Sequence, residues 1–175
     1  MVWSAGNKPT STPEVQVLMV CLGNICRSPT AHGVLEKIIE NKQMSPLIQV
    51  DSAGTGDWHL GESPDNRSQQ AAARRGYDLS PYRARQVEAG DFTRFDYILA
   101  MDRTNLKDLR ASCPASHQPK LQLLLDYGDS GHESVPDPYY SGAQGFELVL
   151  DLVEEACERL FHHIHERHFH DRHPV

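Results

Sequence analysis

Cysteine is scarce in this sequence: its 175 residues include four, Cys21, Cys26, Cys113 and Cys157. Cysteines this few and this irregularly spaced cannot cross-link a chain of this length, which excludes a disulfide-stapled scaffold. We therefore expect reduced thiols and a cytoplasmic location. Each cysteine is then either a small buried hydrophobic residue or a reactive group.

Long apolar runs and an excess of positive charge are also missing. No stretch approaches the ~18 apolar residues of a membrane span, and residues 1–14 lack the apolar segment of a signal peptide. Lys and Arg total 17 against 24 for Asp and Glu, a net charge of -7. This balance argues against nucleic-acid and membrane partners, both of which need surplus positive charge. The same balance is compatible with a small, local anion site. We expect the protein to be a monomer.

The chain does contain alternating strand and helix patterns. Pro- and Ser-containing residues 1–14 predict a disordered leader, and the apolar run at 15–20 predicts a buried strand. An apolar helical stripe follows, with Ser28 as N-cap and Pro29 as the first helical residue. Further strands are predicted at 47–50, 96–100 and 121–125, and further helices at 69–75, around Leu106 and Leu109, and from Gly145 onward. The pattern favours an α/β fold with a parallel sheet flanked by helices, as one domain over 15–166 with a His-rich tail at 167–175.

The segment C-L-G-N-I-C-R-S, residues 21–28, directly follows the first strand, where open α/β sheets bind ligands. A loop that winds into a helix N-terminus directs backbone N–H groups inward and favours an anion. Arg27 can donate two hydrogen bonds to phosphate oxygens, and the same field favours a nucleophilic Cys21 thiolate. Ser28 can donate to that thiolate. The alternative for Cys21 is a buried cysteine at a strand end.

A nucleophilic thiolate and a phosphate-binding arginine are two requirements for the hydrolysis of an aryl phosphate. The reaction also needs an acid to protonate the leaving phenolate. Asp137, in the segment D-P-Y-Y, is a candidate because two prolines stiffen the chain around it. Tyr139 and Tyr140 offer aromatic walls for a substrate. The alternative is an ordinary Asp-Pro turn.

Five separated motifs carry a family resemblance: V-C-L-G-N-I-C-R-S-P, D-S-A-G-T-G-D-W, R-A-R-Q, D-Y-I-L-A-M-D and D-P-Y-Y. In this order they resemble the low-molecular-weight protein tyrosine phosphatases, most of all the bacterial members. The similarity extends over about residues 15–161. It implies a four-stranded parallel sheet of flavodoxin-like topology, no metal or other cofactor, and a two-step mechanism through a cysteinyl phosphate.

The resemblance also implies roles for individual residues. Cys21 would be the nucleophile, Arg27 the phosphate clamp and Asp137 the general acid and then the base. The remaining residues of the implied site bind phosphate, shape or support the loop, or line the substrate cleft: Leu22, Gly23, Asn24, Ile25, Cys26, Ser28, Ser52, Asp102, Trp58, Tyr139 and Tyr140. Cys26 would in addition form a protective disulfide with Cys21; its alternative is a packing role.

Two features depart from the family pattern. Many members have a histidine just before R-A-R-Q that is linked to the loop network, where this chain has Tyr82. The histidine-rich tail is the second departure: His162, His165 and His168 could share a helix face and a metal, but a solvated, partly frayed helix end is the favoured interpretation.

The other cysteines and the basic residues have simpler interpretations. Cys113 and Cys157 are expected to be structural. A basic cluster of Arg74, Arg75, Arg83 and Arg85 either forms a solvated face or attracts anionic phosphopeptides.

The sequence thus predicts a phosphotyrosine protein phosphatase whose partners are tyrosine-phosphorylated proteins, with a bacterial tyrosine kinase as one candidate. Arsenate reductase is an alternative on the same fold, but it needs paired further cysteines. A phosphoarginine phosphatase is another, with threonine where Ile25 stands. An inactive phosphate-binding module is the third.

Overall fold

The described part of the chain contains four strands and five α-helices, one helix more than the apolar patterns predict. The computed structural model describes residues 12–139 and 141–170. Its strands are β1 (Val15–Cys21), β2 (Ile48–Gly54), β3 (Tyr97–Ala100) and β4 (Leu121–Leu123). Its helices are α1 (Arg27–Asn41), α2 (Asn66–Ala73), α3 (Ala89–Arg94), α4 (Arg103–Ser112) and α5 (Ala143–His168).

The strands form one parallel sheet in the order β2-β1-β3-β4. In the register of the two longest strands, Val15 lies opposite Ile48 and Cys21 opposite Gly54. The predicted parallel α/β fold is confirmed. Because β1 is central and all strands run the same way, its carboxyl end at Cys21 opens at the edge where such sheets place their ligands.

Apolar residues cover both faces of the sheet, since successive side chains of a strand point to opposite sides. Val15, Val17 and Met19 of β1 pack in a core with α1 and α5, whereas Leu18 and Val20 pack with residues of α3 and α4. Burial on both faces explains why β1 is almost uninterruptedly apolar.

Several predicted boundaries are wrong. Helix α1 begins at Arg27 with Cys26 as N-cap, so Ser28 is not the cap: its hydroxyl is bonded inside the loop instead. Strand β2 continues through Gly54, because its polar end is paired with β1. Helix α2 starts earlier, at Asn66, because the Asp65 side chain accepts a hydrogen bond from Arg67 N. Helix α3 was not predicted, and β4 ends at Leu123 before a 3-10 turn (Leu124–Tyr127).

The end of α5 differs from the predicted frayed helix end. Helix α5 is regular to His168, and Phe169 is 1% exposed within the core. The division into a domain over 15–166 and a tail at 167–175 stays a prediction. His168 is bonded to the Tyr97 hydroxyl at 2.9 Å rather than frayed. Most of the predicted leader, residues 1–11, lies outside the described residues. No helix in the described ranges is both long and apolar enough to cross a membrane.

Candidate active site

The loop between β1 and α1 turns its peptide carbonyls outward. Three of them accept backbone hydrogen bonds from the segment after β2: Cys21 O from Thr55 N (2.9 Å), Leu22 O from Gly56 N (2.9 Å) and Ile25 O from Asp65 N (2.8 Å). The C=O and N–H of a trans peptide point to opposite sides, so the N–H groups that follow these carbonyls point away from that segment. The loop therefore has the form of a cradle of donors beside Cys21.

Asn24 holds the bend of this loop. Its φ of 58° lies in the left-handed region, which asparagine tolerates better than most residues. Its N–H donates to the Cys21 Sγ at 3.3 Å, and its Oδ1 accepts from the Arg85 N–H at 3.0 Å. Asn24 thus ties the loop both to the thiol and to the neighbouring segment.

The Cys21 thiol is 3.1 Å from the Ser28 hydroxyl. Asn24 Nδ2 donates to the same hydroxyl oxygen at 2.8 Å, which leaves the Ser28 proton free to point elsewhere. Two acceptors lie within reach of the Ser28 hydroxyl proton: Cys21 Sγ at 3.1 Å and Ala53 O at 3.4 Å. A thiolate at Cys21 would therefore receive hydrogen bonds from Ser28 and from the Asn24 N–H, next to the positive end of α1.

Arg27 is 3% exposed and is clamped by residues from distant parts of the chain. Its Nη1 donates to Asp102 Oδ2 at 2.6 Å and to Val135 O at 3.1 Å, and its Nη2 lies 3.7 Å from Asp137 Oδ2. Burial on its own would lower the pKa of Arg27, but the neighbouring Cys21 and Asp102 raise it above its ordinary value. The guanidinium is therefore a permanent cation.

Asp102 also accepts a hydrogen bond from Asn105 N as the N-cap of α4. One carboxylate thus fixes both the helix start and the Arg27 guanidinium.

Asp137 lies beside Nη2 of Arg27, in the segment that follows the 3-10 turn. This segment is anchored at Val135, which is fully buried and donates its N–H to Met101 O at 2.8 Å, directly after β3. Asp137 Oδ1 accepts from Tyr139 N at 3.0 Å, and its side chain is half exposed. The anchor brings the carboxylate to the mouth of the loop while leaving it accessible.

A cleft of about 360 Å³ connects these groups. Most of the predicted site residues line it, namely Cys21, Leu22, Gly23, Ile25, Cys26, Arg27, Trp58, Asp137 and Tyr139. Trp58 is 68% exposed and Tyr139 37% exposed, so both rings stand at the rim. Tyr140, the third predicted wall, lies outside the described residues.

Sequence reasoning missed His59, which also lines the cleft. Its only signal was adjacency to Trp58. Arg67 was missed as well: its guanidinium carbon lies 5.4 Å from the centroid of the Tyr139 ring, and it pairs with Asp65 at 2.9 Å. Nothing local in the sequence indicates that stacking.

Ser52 lies behind the loop, where its hydroxyl is 3.0 Å from His32 Nδ1. The His32 ring stacks on Tyr82 with centroids 3.9 Å apart and planes at 11°. Burial lowers the pKa of His32 to about 4, with Arg85 lowering and Asp51 opposing the shift, so the ring is neutral at pH 7. Tyr82 occupies the sequence position at which many family members have a histidine. In this chain its ring packs instead against the His32 imidazole, which α1 contributes.

The remaining cysteines are buried. Burial raises the pKa of Cys26 to about 12 and also raises the pKa values of Cys113 and Cys157, which favours the neutral thiols. The disulfide between Cys26 and Cys21 stays a prediction; both are free thiols here.

Three of the four arginines in the predicted basic cluster are neutralised by carboxylates. Arg74 and Arg75 pair with Glu147 of α5, and Arg85 pairs with Asp51 and Asp91. The structure therefore does not support the prediction that this cluster attracts anionic phosphopeptides. Across residues 12–139 and 141–170, no group of three His, Cys, Asp or Glu side chains is placed to hold a metal ion.

Comparison with known proteins places the chain in one family, by a family model and by a similar sequence. A family model described as low molecular weight phosphotyrosine protein phosphatase matches residues 16–169. A low molecular weight protein-tyrosine-phosphatase of Bacillus subtilis is 42% identical over 147 residues, covering 83% of this chain and 93% of the relative.

Solved structures agree with the sequence comparison. A protein tyrosine phosphatase from Entamoeba histolytica superposes with a TM-score of 0.85 at 40% identity, covering 87% of this chain and 98% of that one. A Drosophila arginine phosphatase superposes with a TM-score of 0.78 at 38% identity, covering 84% and 96%. The cradle, the buried arginine and the extent of these matches lead to one conclusion: the chain belongs to the low molecular weight phosphotyrosine protein phosphatase family.

Proposed function

We propose that the chain hydrolyses phosphotyrosine in proteins through a phosphorylated Cys21. The observation that carries the proposal is the convergence on one cleft of a thiol, a buried guanidinium and an accessible carboxylate, contributed by Cys21, Arg27 and Asp137. A donor cradle binds the phosphate, the thiol attacks it, and the carboxyl group protonates the leaving phenolate.

In the first step the Cys21 thiolate attacks phosphorus in line with the tyrosyl oxygen. The S–P bond forms, the P–O bond to the ring breaks, and Asp137 gives its proton to the phenolate oxygen. Arg27 and the loop N–H groups hold the equatorial oxygens, where charge develops.

In the second step water attacks the phosphocysteine. Asp137, now a carboxylate, takes a proton from that water, the S–P bond breaks, and inorganic phosphate leaves. The released thiolate is stabilised by Ser28 and by the Asn24 N–H, whose contacts with Sγ are 3.1 and 3.3 Å. The chain's own residues thus supply a nucleophile, a clamp, and an acid that becomes a base.

The test compares Cys21→Ser and Asp137→Asn on a phosphotyrosine peptide and on p-nitrophenyl phosphate. Cys21→Ser should abolish turnover of both. Asp137→Asn should lower kcat on the peptide by about 10²–10⁴-fold and on p-nitrophenyl phosphate by less, because p-nitrophenolate leaves more readily than a phenolate of pKa about 10. Asp129→Asn removes a carboxylate that is 85% exposed and serves as the matched control. Substantial activity in Cys21→Ser would refute the covalent mechanism.

Phosphoarginine is the second candidate substrate, because one structural relative is named an arginine phosphatase. Ile25 lines the cleft with an apolar side chain, which favours a phenyl ring over a guanidinium. We expect phosphotyrosine to outcompete phosphoarginine in a mixed assay, and Ile25→Thr to shift the ratio towards phosphoarginine. The opposite order for the wild type would make the argument from Ile25 wrong.

Arsenate reduction and phosphate binding without catalysis are both disfavoured by the same site. Cys113 and Cys157 are buried free thiols at the end of α4 and on α5, unlike the resolving cysteines that arsenate reduction needs. An inactive module would not need the acid beside the clamp. We further propose tyrosine-phosphorylated proteins as partners, with a bacterial tyrosine kinase as one candidate, and a monomer in the cytoplasm.

A further inference from the structure

His59 is a titratable side chain in the cleft that the proposed mechanism does not use. It lines the cavity next to Gly23 and Trp58, and its side chain is 29% exposed. A Cβ on Gly23 would lie 2.9 Å from the His59 Cδ2 and 3.7 Å from its Nε2, so one edge of the ring rests on the outer side of the loop.

The ring is held in place by its own segment. His59 Nδ1 is 2.9 Å from Glu62 Oε1, and Glu62 N donates to His59 O at 2.9 Å. Backbone bonds between Glu62 and Ala84, and between Gly61 and Ala84, at 2.9 and 2.8 Å, join this turn to the neighbouring segment. His59 therefore sits on a fixed support rather than on a free loop.

The pairing with Glu62 also determines what the ring can offer. A carboxylate accepts only, so Nδ1 carries a hydrogen and donates it, and the second nitrogen, Nε2, remains for other partners. In the protonated form of the ring Nε2 also carries a hydrogen, so that form offers a cationic donor to a carboxylate. The other rim residues on this side, Leu22 and Trp58, are apolar and exposed.

We propose that His59 is a specificity-determining residue that binds a carboxylate on the substrate, from an Asp or Glu beside the phosphotyrosine. The phosphate is already served by Arg27 and the loop N–H groups, whereas His59 lies on the outer side of Gly23, where the flanking peptide must pass. This inference rests on the proposed phosphotyrosine hydrolysis and names the class of peptide that the same cleft prefers.

The test uses two peptides that differ only in the residues on either side of phosphotyrosine, Glu in one and Gln in the other. Initial rates at about pH 6 give the ratio of kcat/KM for the Glu peptide to that for the Gln peptide. A partly exposed ion pair predicts that His59→Gln lowers this ratio about two- to fivefold, mainly through KM. His59→Glu should lower it further. His162→Gln, at an exposed histidine of α5, should leave the wild-type ratio.

The ratio separates specificity from general damage, because a misfolded or slow enzyme loses both peptides equally. An unchanged ratio in both His59 variants, or equal losses on the two peptides, would overturn the role of His59 and leave the proposed function intact. Failure of the wild type to hydrolyse either peptide would overturn the proposed function and, with it, this inference.

Discussion

Replacing Arg85 by methionine tests how the segment behind the loop is held. The guanidinium donates to Asp51 Oδ2 from Nε and Nη2, at 3.2 and 3.1 Å, and to the two oxygens of Asp91 at 3.0 and 3.2 Å. Burial by itself would lower the pKa of Arg85, but Asp91 and Asp51 raise it. Methionine keeps most of the side-chain volume and removes the charge.

The expected loss follows from the exposure of the partners. The Asp91 side chain is 7% exposed and would lose its cation, whereas Asp51 is 36% exposed and can turn to water. Breaking a fully buried pair costs about 3–5 kcal/mol, and Arg85 itself is 29% exposed, so we expect about 2–3 kcal/mol. For a chain of this length that is a fall in Tm of about 5–10 °C.

The assay is thermal unfolding at pH 7, with Arg83→Met as the matched control. Arg83 belongs to the same basic cluster, but it is exposed and its side chain donates to the carbonyls of Ser80 and Tyr82. Its replacement should move Tm by under about 2 °C. Equal Tm values for the two variants would show that the Arg85 ion pairs do not stabilise the fold.

Two further predictions concern the support of the loop. Gly54→Ala places a Cβ 2.6 Å from Leu22 O, so kcat should fall more than about tenfold. Gly90→Ala, whose Cβ meets nothing within 4 Å, should keep wild-type activity. Equal rates for the two variants would refute the steric argument. Because the folded pKa of His32 is about 4, below the ordinary 6.5, the unfolded chain binds the extra proton first and stability falls as pH drops between these values, by up to about 3 kcal/mol. Urea unfolding at pH 7 and pH 4.5 should show a smaller loss for His32→Gln than for wild type or His162→Gln, and parallel losses would contradict this assignment.

Periodicity was sufficient to predict the core of the fold. The apolar run of β1, the stripes of α1 and α5 and the order of the predicted strands and helices are all observed, because burial on one face or two leaves a direct trace in the sequence. Boundaries were less predictable. Strand β2 runs through Asp51 and Ser52, whose polarity suggests a loop, because pairing with β1 supplies their backbone hydrogen bonds.

The loop was predictable for a different reason: all of its residues are consecutive. Residues 21–28 carry the thiol, the hydroxyl and the guanidinium in one turn, so their proximity needs no tertiary information. Asp137 was a candidate from the prolines and tyrosines around it, whereas Asp102 could be named only from the family resemblance. Their geometry around Arg27 depends on the end of β3 and on the Val135 anchor.

The sequence by itself determined the α/β class, the anion loop after β1 and the chemistry that a cysteine and an arginine in that loop can perform. Only the tertiary structure showed that His59 lies at the mouth of the cleft, that His32 packs against Tyr82, and that Arg85 supports the loop instead of attracting substrate. The physical reason is separation along the chain. Local patterns record burial and loop composition, whereas ion pairs and ring stacks between distant segments exist only once the sheet has brought those segments together.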